Sequence, residues 1–172
     1  DAEIIKKVLL GNTDLFGVLF DRYAKKIFGY LWHFCATKGD CEDFLQDTFY
    51  KAYTNLRYCR ERDKFSSWLF SIAHNVAVSN AQKLSLYRSR ELPRDNFSSL
   101  ESAVVAEDIH LELIRQEDGE TLKKIIETIP QAYREIIILF YYNELSMQEI
   151  SSVIAIPVNT VKTRLYRGRR YI

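Results

Sequence analysis

The stretch SMQEISSVIAIPVNTVKTRLYRGRR, from Ser146 to Arg170, constrains the fold more than any other, because it holds two apolar stripes of helical period that break at a single point. In the first half Met147, Ile150 and Ile154 recur at spacings of three and four, so they share a face that must be covered. Pro157 follows the break, and its fixed φ suits the first turn of a new helix. In the second half Val158, Val161 and Leu165 form an inward stripe, leaving Asn159, Thr160, Lys162, Thr163, Arg164, Tyr166 and Arg167 outside. Five cations and no acid lie between Lys162 and Arg170. Ala155 stands at the break, where a positive φ would cost about 1 kcal/mol for any residue with a Cβ.

Two short helices joined by a tight turn, the second basic on its outer side, are the layout of a helix-turn-helix DNA reader. An α-helix fits the major groove, where Asn, Thr, Lys and Arg hydrogen-bond to base edges and cations neutralise phosphates. A solvated basic helix closing a bundle is the plainer alternative.

Six Gly and three Pro in 172 residues are few for the turns that strands need, and with the long 3.6-residue periodicities they predict an all-α protein. The net charge of +1 says nothing of nucleic acid, but its distribution does. Residues 1–83 hold 12 cations and 10 acids, residues 84–120 hold 4 and 9, and residues 121–172 hold 8 and 4. Two weakly basic modules flank an acidic connector. Cys35, Cys41 and Cys59 form no CxxC pair, and His33 with Cys35 and Cys41 matches no zinc spacing, so a reducing compartment and no metal or other cofactor are expected. No apolar run approaches a membrane span and no signal peptide is visible, which predicts a cytoplasmic protein without direct membrane insertion; the lack of an initiator Met reads as trimming.

Periodicity places helices over Ala2–Leu10, from Thr13 or Asp14 to about Ala36, from an Asp40 cap through CEDFLQDTFYKAYTNL, and from a Ser66 or Ser67 cap through FSSWLFSIAHNVAVSNAQK. Phe44, Leu45, Thr48, Phe49 and Ala52 face inward on the third, with Glu42, Asp43, Gln46, Asp47, Tyr50 and Lys51 opposite. On the fourth, Trp68, Leu69, Ile72, Ala73 and Val76 form the stripe, and His74, Asn75, Ser79, Asn80 and Lys83 are left to meet something outside the bundle. The division is 1–86 for a first bundle, 87–118 for a flexible acidic linker that is partly helical over Val104–Arg115, and 119–172 for a second bundle. There Leu122, Ile125, Ile126 and Ile129 give one face, and Pro130 opens a helix through Tyr142.

In this order the segments FGVLFDRYAKKIFGYL, CEDFLQDTFYKAY, FSSWLFSIAHN, IPQAYREIIIL and the helix-turn-helix resemble the extracytoplasmic-function (ECF) subfamily of sigma-70 factors, the promoter-recognition subunits of bacterial RNA polymerase. Cys41 and Ser151 stand where the subfamily usually has Ala, and Ala155 where it has Gly. The resemblance implies a first bundle, sigma region 2, that binds core RNA polymerase through Glu42, Asp43, Gln46, Asp47 and Lys51. It also implies recognition and melting of the minus-10 element, which asks for capture of an unstacked base beside cationic backbone contacts. Arg60, Arg62 and Lys64 are assigned to the backbone, the loop at Phe65 and Ser66 to base capture, and His74, Asn75 and Asn80 to the duplex edge. Trp68 is read as core rather than as a stacking platform. The second bundle, sigma region 4, would read the minus-35 element with Asn159, Thr160, Lys162, Thr163, Arg164 and Arg167, while Arg169 contacts phosphate. Promoter DNA, core polymerase and an anti-sigma factor are the implied partners, with no small-molecule substrate.

Two other readings fit parts of the chain. A helix-turn-helix regulator that is not a polymerase subunit explains the C-terminal bundle but leaves the third and fourth helices without a role. An enzyme acting on nucleic acid needs clustered carboxylates for a metal, or a nucleophile paired with a base. Glu42, Asp43 and Asp47 are the only dense acids of the first bundle, and they have no His at ligand spacing. No catalytic residue is expected.

Overall fold

In the computed structural model, residues 1–91 and 128–171 are described, with backbone alone from 81 to 91. They contain seven α-helices and no strand. The first unit comprises α1 (Ala2–Leu9), α2 (Phe16–Leu31), α3 (Lys38–Thr54) and α4 (Phe65–Glu91). The second comprises α5 (Gln131–Ile137), continued by a π-helical turn (Ile138–Tyr142), then α6 (Met147–Val153) and α7 (Val158–Gly168). The expected linker helix over Val104–Arg115 and the stripe at Leu122, Ile125 and Ile126 lie outside the described residues.

α1 buries Ile5 and Val8 and stops where Gly11 takes φ 109°, a conformation that side chains with a Cβ rarely adopt. Asp1 ties this helix to α2 by accepting from Arg22 and Tyr23. A 3-10 turn (Thr13–Leu15) leads into α2, so neither Thr13 nor Asp14 caps it through a side chain. α2 ends at Leu31 and tightens into a second 3-10 turn rather than running to Ala36. Its inward residues Leu19, Tyr23, Ile27, Tyr30 and Leu31 follow the spacing of three and four. α3 starts earlier than Asp40, because Thr37 is the cap: Thr37 Oγ1 accepts from the Asp40 N–H at 3.1 Å and Asp40 Oδ2 from the Thr37 N–H at 3.0 Å. Phe44, Thr48, Phe49 and Ala52 are buried as expected, and Leu45 is half-buried. Aromatic edges join α2 to α3, with Phe16 5.1 Å from Tyr53 and Phe20 4.7 Å from Phe49 between ring centroids.

α4 begins at Phe65, directly after a 3-10 turn over Arg62–Lys64, so Ser66 and Ser67 lie inside the first turn and cap nothing. Ser67 instead donates to the Lys64 carbonyl at 3.0 Å. Leu69, Ala73 and Val76 are fully buried, joined by Phe65, Phe70 and Ala77, while Trp68 and Ile72 are half-buried against the same core.

In the second unit Ile129, Ile136, Ile137, Leu139, Leu145, Ile150, Val153, Val161 and Leu165 are buried. Ser146 caps α6 in a reciprocal pair with Glu149. Ala155 takes φ 53°, in the left-handed region that a residue with a Cβ occupies at a cost. Ser151 holds this turn closed, its hydroxyl donating to the Ile156 carbonyl at 2.6 Å and its own carbonyl accepting from the Ile156 N–H at 3.2 Å. Pro157 then caps α7. The far end of α7 approaches α5 at Gly168, where an added Cβ would stand 2.8 Å from Ile137 Cδ1 and 3.3 Å from Tyr133 Cβ.

One added or removed methyl group therefore has opposite effects at the two ends of α7. Gly168→Ala lowers stability by about 1–3 kcal/mol through overpacking, and Ala155→Gly raises it by up to about 1 kcal/mol by relieving the positive φ. Denaturant-unfolding midpoints of the two variants check both signs.

Candidate nucleic-acid interface

α7 presents the face that its sequence foretells. Val161 and Leu165 are buried; Asn159, Lys162, Thr163, Tyr166 and Arg167 are exposed; Thr160 and Arg164 are half-buried. Asn159, Thr160, Thr163, Arg164 and Arg167 line one concavity whose opposite wall is Pro130, Ala132, Tyr133 and Tyr171. Lys162 is not part of it. The far wall belongs to the start of α5 and to the turn after α7, and periodicity carries no signal for it because the contact depends on how the helices pack. Thr163 Oγ1 donates to the Asn159 carbonyl at 2.9 Å, which commits its proton and leaves its oxygen as an acceptor. Arg169 is exposed and is also held from within the unit. Its Nε donates to Tyr141 Oη at 2.7 Å, and its guanidinium lies over the Phe140 and Tyr141 rings, so it anchors the end of α7 to the π-helical turn.

On the first unit, Glu42, Asp43, Gln46, Asp47 and Lys51 are all exposed on α3, with Tyr50 among them. The buried stripe on the opposite side of α3 sets that orientation. The connector before α4 forms a second concavity, lined by Ala2, Arg57, Cys59, Arg60, Glu61, Arg62, Asp63 and Lys64. The three expected backbone cations meet there, interleaved with acids. Lys64 pairs with Glu61, which holds its ammonium above the ordinary lysine value, and Glu149 of α6 adds to the effect.

Two expected contacts sit elsewhere. Phe65 is fully buried, 5.5 Å from the Tyr23 ring and 5.8 Å from that of Trp68, so it forms part of the core and offers no ring to a base. The α-helix starts at Phe65 itself, which turns that side chain inward with Leu69. Ser66 is half-buried and bonds to Tyr23, whose phenol is raised above its usual value by burial, the effect being opposed by Arg22 and by Ser66. His74 does not face outward: its Nδ1 is 2.8 Å from Glu135 Oε1 and 3.0 Å from Tyr30 Oη. Asn75 is exposed and Asn80 half-buried. Cys41 is buried and donates to the Phe28 carbonyl at 3.6 Å; a hydrogen bond with Cys35, then burial, push its thiol well above the ordinary value, the opposite of a thiolate ligand.

Two helical units, one ending in a helix-turn-helix with its polar side outermost and the other carrying a cationic connector, define a DNA-reading protein. Residues 19–86 match Sigma-70 region 2, and residues 119–172 match Sigma-70, region 4. The ECF RNA polymerase sigma factor SigW of Bacillus subtilis is 34% identical over 169 residues, spanning 96% of this chain and 90% of that protein. The ECF RNA polymerase sigma-E factor of Escherichia coli K12 is 27% identical over 176 residues, spanning 100% of this chain and 92% of the relative. Among solved structures, CnrH in complex with the cytosolic domain of CnrY superposes with a TM-score of 0.66 at 25% identity, covering 99% of this chain and 93% of that one. The sigma factor RpoE of Bartonella quintana, solved with the anti-sigma factor NepR, gives the same TM-score of 0.66 at 18% identity, covering 91% and 92%, a likeness of fold.

The chain belongs to the ECF subfamily of the sigma-70 family. It is an alternative sigma factor, a protein that directs transcription initiation. Because the likeness runs through both units, a regulator acting apart from the polymerase loses its footing. Sigma factors in general are not catalytic enzymes, and no helix among the described residues is long and apolar enough to cross a membrane.

The placement of Phe65 is open to a direct check. Phe65→Ala costs about 3–5 kcal/mol of stability, as for a buried aromatic truncated in a packed core, whereas Ser66→Ala changes the unfolding midpoint little.

Proposed function

We propose that this chain binds bacterial core RNA polymerase through the exposed face of α3 and brings it to promoters with two elements, each read by one unit. Glu42, Asp43, Gln46, Asp47 and Lys51 make the polymerase contact. The observation that carries this is their joint exposure on one side of a helix whose other side is core. A merely solvated helix face would need no such company from Tyr50, which is 68% exposed amid the acids.

Arg60, Arg62 and Lys64 hold the backbone of the minus-10 strand, and Ser66 lies at the mouth of the site where an unstacked base is captured, while buried Phe65 shapes the start of α4 from beneath. Asn75 and Asn80 meet the duplex edge. His74 joins them only when Glu135 releases it. On the second unit Asn159, Thr160, Thr163, Arg164 and Arg167 read the minus-35 element from the major groove, and Lys162, outside their concavity, meets its phosphates. The wall supplied by Pro130 and Tyr133 sets how deep α7 enters. The division into region 2 over 1–86, a linker over 87–118 and region 4 over 119–172 accords with the spans of the two family matches.

A cytoplasmic location follows from these partners. An anti-sigma factor is a further partner in this reading, since both CnrH and the Bartonella quintana sigma factor were solved with a second protein, the latter's being an anti-sigma factor. No catalytic residue, metal or cofactor enters the proposal.

Reversing charge on α3, as Asp43→Lys with Asp47→Lys, lowers affinity for purified core polymerase at least about tenfold while helical content is kept; unchanged affinity assigns the contact elsewhere. Arg164→Ala costs about 1–3 kcal/mol of promoter binding and relaxes preference at one base of the minus-35 element, whereas Lys162→Ala weakens all sequences more evenly and lowers the salt slope. Binding titrations over single-base promoter variants at two salt concentrations separate these outcomes.

A further inference from the structure

Between Asn55 and Trp68 stand three aromatic residues, and the fold gives them different postures. Phe65 is fully buried, and Trp68 is half-buried against the same core. Tyr58 stands out in solvent, 61% exposed. Its neighbours impose that posture. Tyr58 ends a 3-10 turn (Leu56–Tyr58) that starts from buried Leu56, and buried Cys59 follows it directly. The Tyr58 N–H donates to the Asn55 carbonyl at 2.8 Å and the Cys59 N–H to the Leu56 carbonyl at 3.1 Å. With an anchor on either side, Arg57 and Tyr58 are left outside.

An exposed tyrosine is ordinary by itself, because its hydroxyl is at home in water. This one is held. The Arg57 guanidinium lies over its ring, 4.8 Å from the centroid, a cation–π contact that orders both side chains. Arg57 also lines the connector concavity with Arg60, Arg62 and Lys64, whereas Tyr58 does not. The ring therefore stands at the rim of that concavity, joined to it through one side chain.

We infer that Tyr58 is a stacking platform for an unpaired base of the melted strand, next to the base captured in the concavity. It rests on the minus-10 reading above and adds to that reading a second base contact. A groove that tracks a single strand combines cations for the phosphates with aromatic faces for the bases. The connector supplies the cations, but no aromatic side chain lines its concavity. Tyr58 supplies the missing face. Arg57 covers one side of the ring and acts as a positioning residue, and the other side receives the base. Bases within a duplex are stacked on one another and offer a ring nothing until they part, so the platform favours the melted promoter over the closed one. Stacking also tolerates any base, since every base has a π-face. Tyr58 thus supports melting without specifying sequence, in contrast to the base-edge contacts proposed for α7.

Holoenzyme reconstituted from the full chain and purified bacterial core polymerase tests the platform. The probe is a promoter that the wild type transcribes, prepared with its minus-10 region as a permanent bubble and with abasic sites introduced one at a time along each strand. The wild type loses affinity at two neighbouring positions of one strand, the captured base and the stacked one. Tyr58→Ala binds the intact bubble roughly 5- to 150-fold more weakly and is indifferent to the abasic site at one of those positions while still sensitive to the other. Tyr58→Phe keeps the ring without the hydroxyl and binds within about twofold of wild type. Tyr58 lies outside the core, so all three proteins keep their helical content and their affinity for core polymerase. Wild-type affinity in Tyr58→Ala, a Phe variant as weak as the Ala variant, or weakened core binding by Tyr58→Ala each overturns the platform and leaves the minus-10 reading standing. A wild-type holoenzyme indifferent to every abasic site overturns that reading, and the platform with it.

Discussion

A reader helix is useful only when its angle to the rest of its unit is fixed, and here that angle depends on the two ends of α7. At one end Ala155 holds a positive φ that Ser151 secures through the Ile156 carbonyl. At the other, Gly168 lets α7 approach Ile137 and Tyr133 more closely than any side chain would allow. Between them Val161 and Leu165 bury the inner stripe, and the polar side is outward as a consequence. The strain at Ala155 is tolerated because a short turn with its own hydrogen bonds over-determines it. Ser151, where the subfamily usually has Ala, supplies one of those bonds.

The first unit solves a different problem. It must expose acids on α3 and cations on the connector within one small body, and it does so by placing both outside a core of aromatic residues from α2, α3 and α4. The opposite charges serve opposite partners in the proposed reading, a protein surface and a nucleic-acid strand. The Lys64–Glu61 pair shows that even the cationic connector is partly self-neutralised.

Much of this was legible in the residues. The stripes of α6 and α7 and the outward side of α3 follow from periodicity, which the sequence carries directly, whereas the positive φ at Ala155 runs against the preference of its residue type. Boundaries were less so: Thr37 rather than Asp40 caps α3 because the reciprocal bond between them needs both residues, and Asp40 alone looks like a cap. The run of charged residues before Phe65 looks like a loop that includes it, but helix α4 begins there and turns the ring inward. His74 looks outward-facing from periodicity alone because its partners, Tyr30 and Glu135, lie 44 and 61 residues away in sequence. No local pattern encodes such a contact.

The central claim is that this chain confers promoter choice on a polymerase rather than binding DNA on its own account. Run-off transcription from a randomised promoter library, with purified bacterial core polymerase in the presence and absence of the protein, tests it most directly. The account predicts transcripts only in its presence, from templates sharing two short elements at one spacing, with the upstream element altered by substitutions in α7. Transcripts independent of the protein, or a core polymerase that neither binds it nor gains selectivity, would contradict the account.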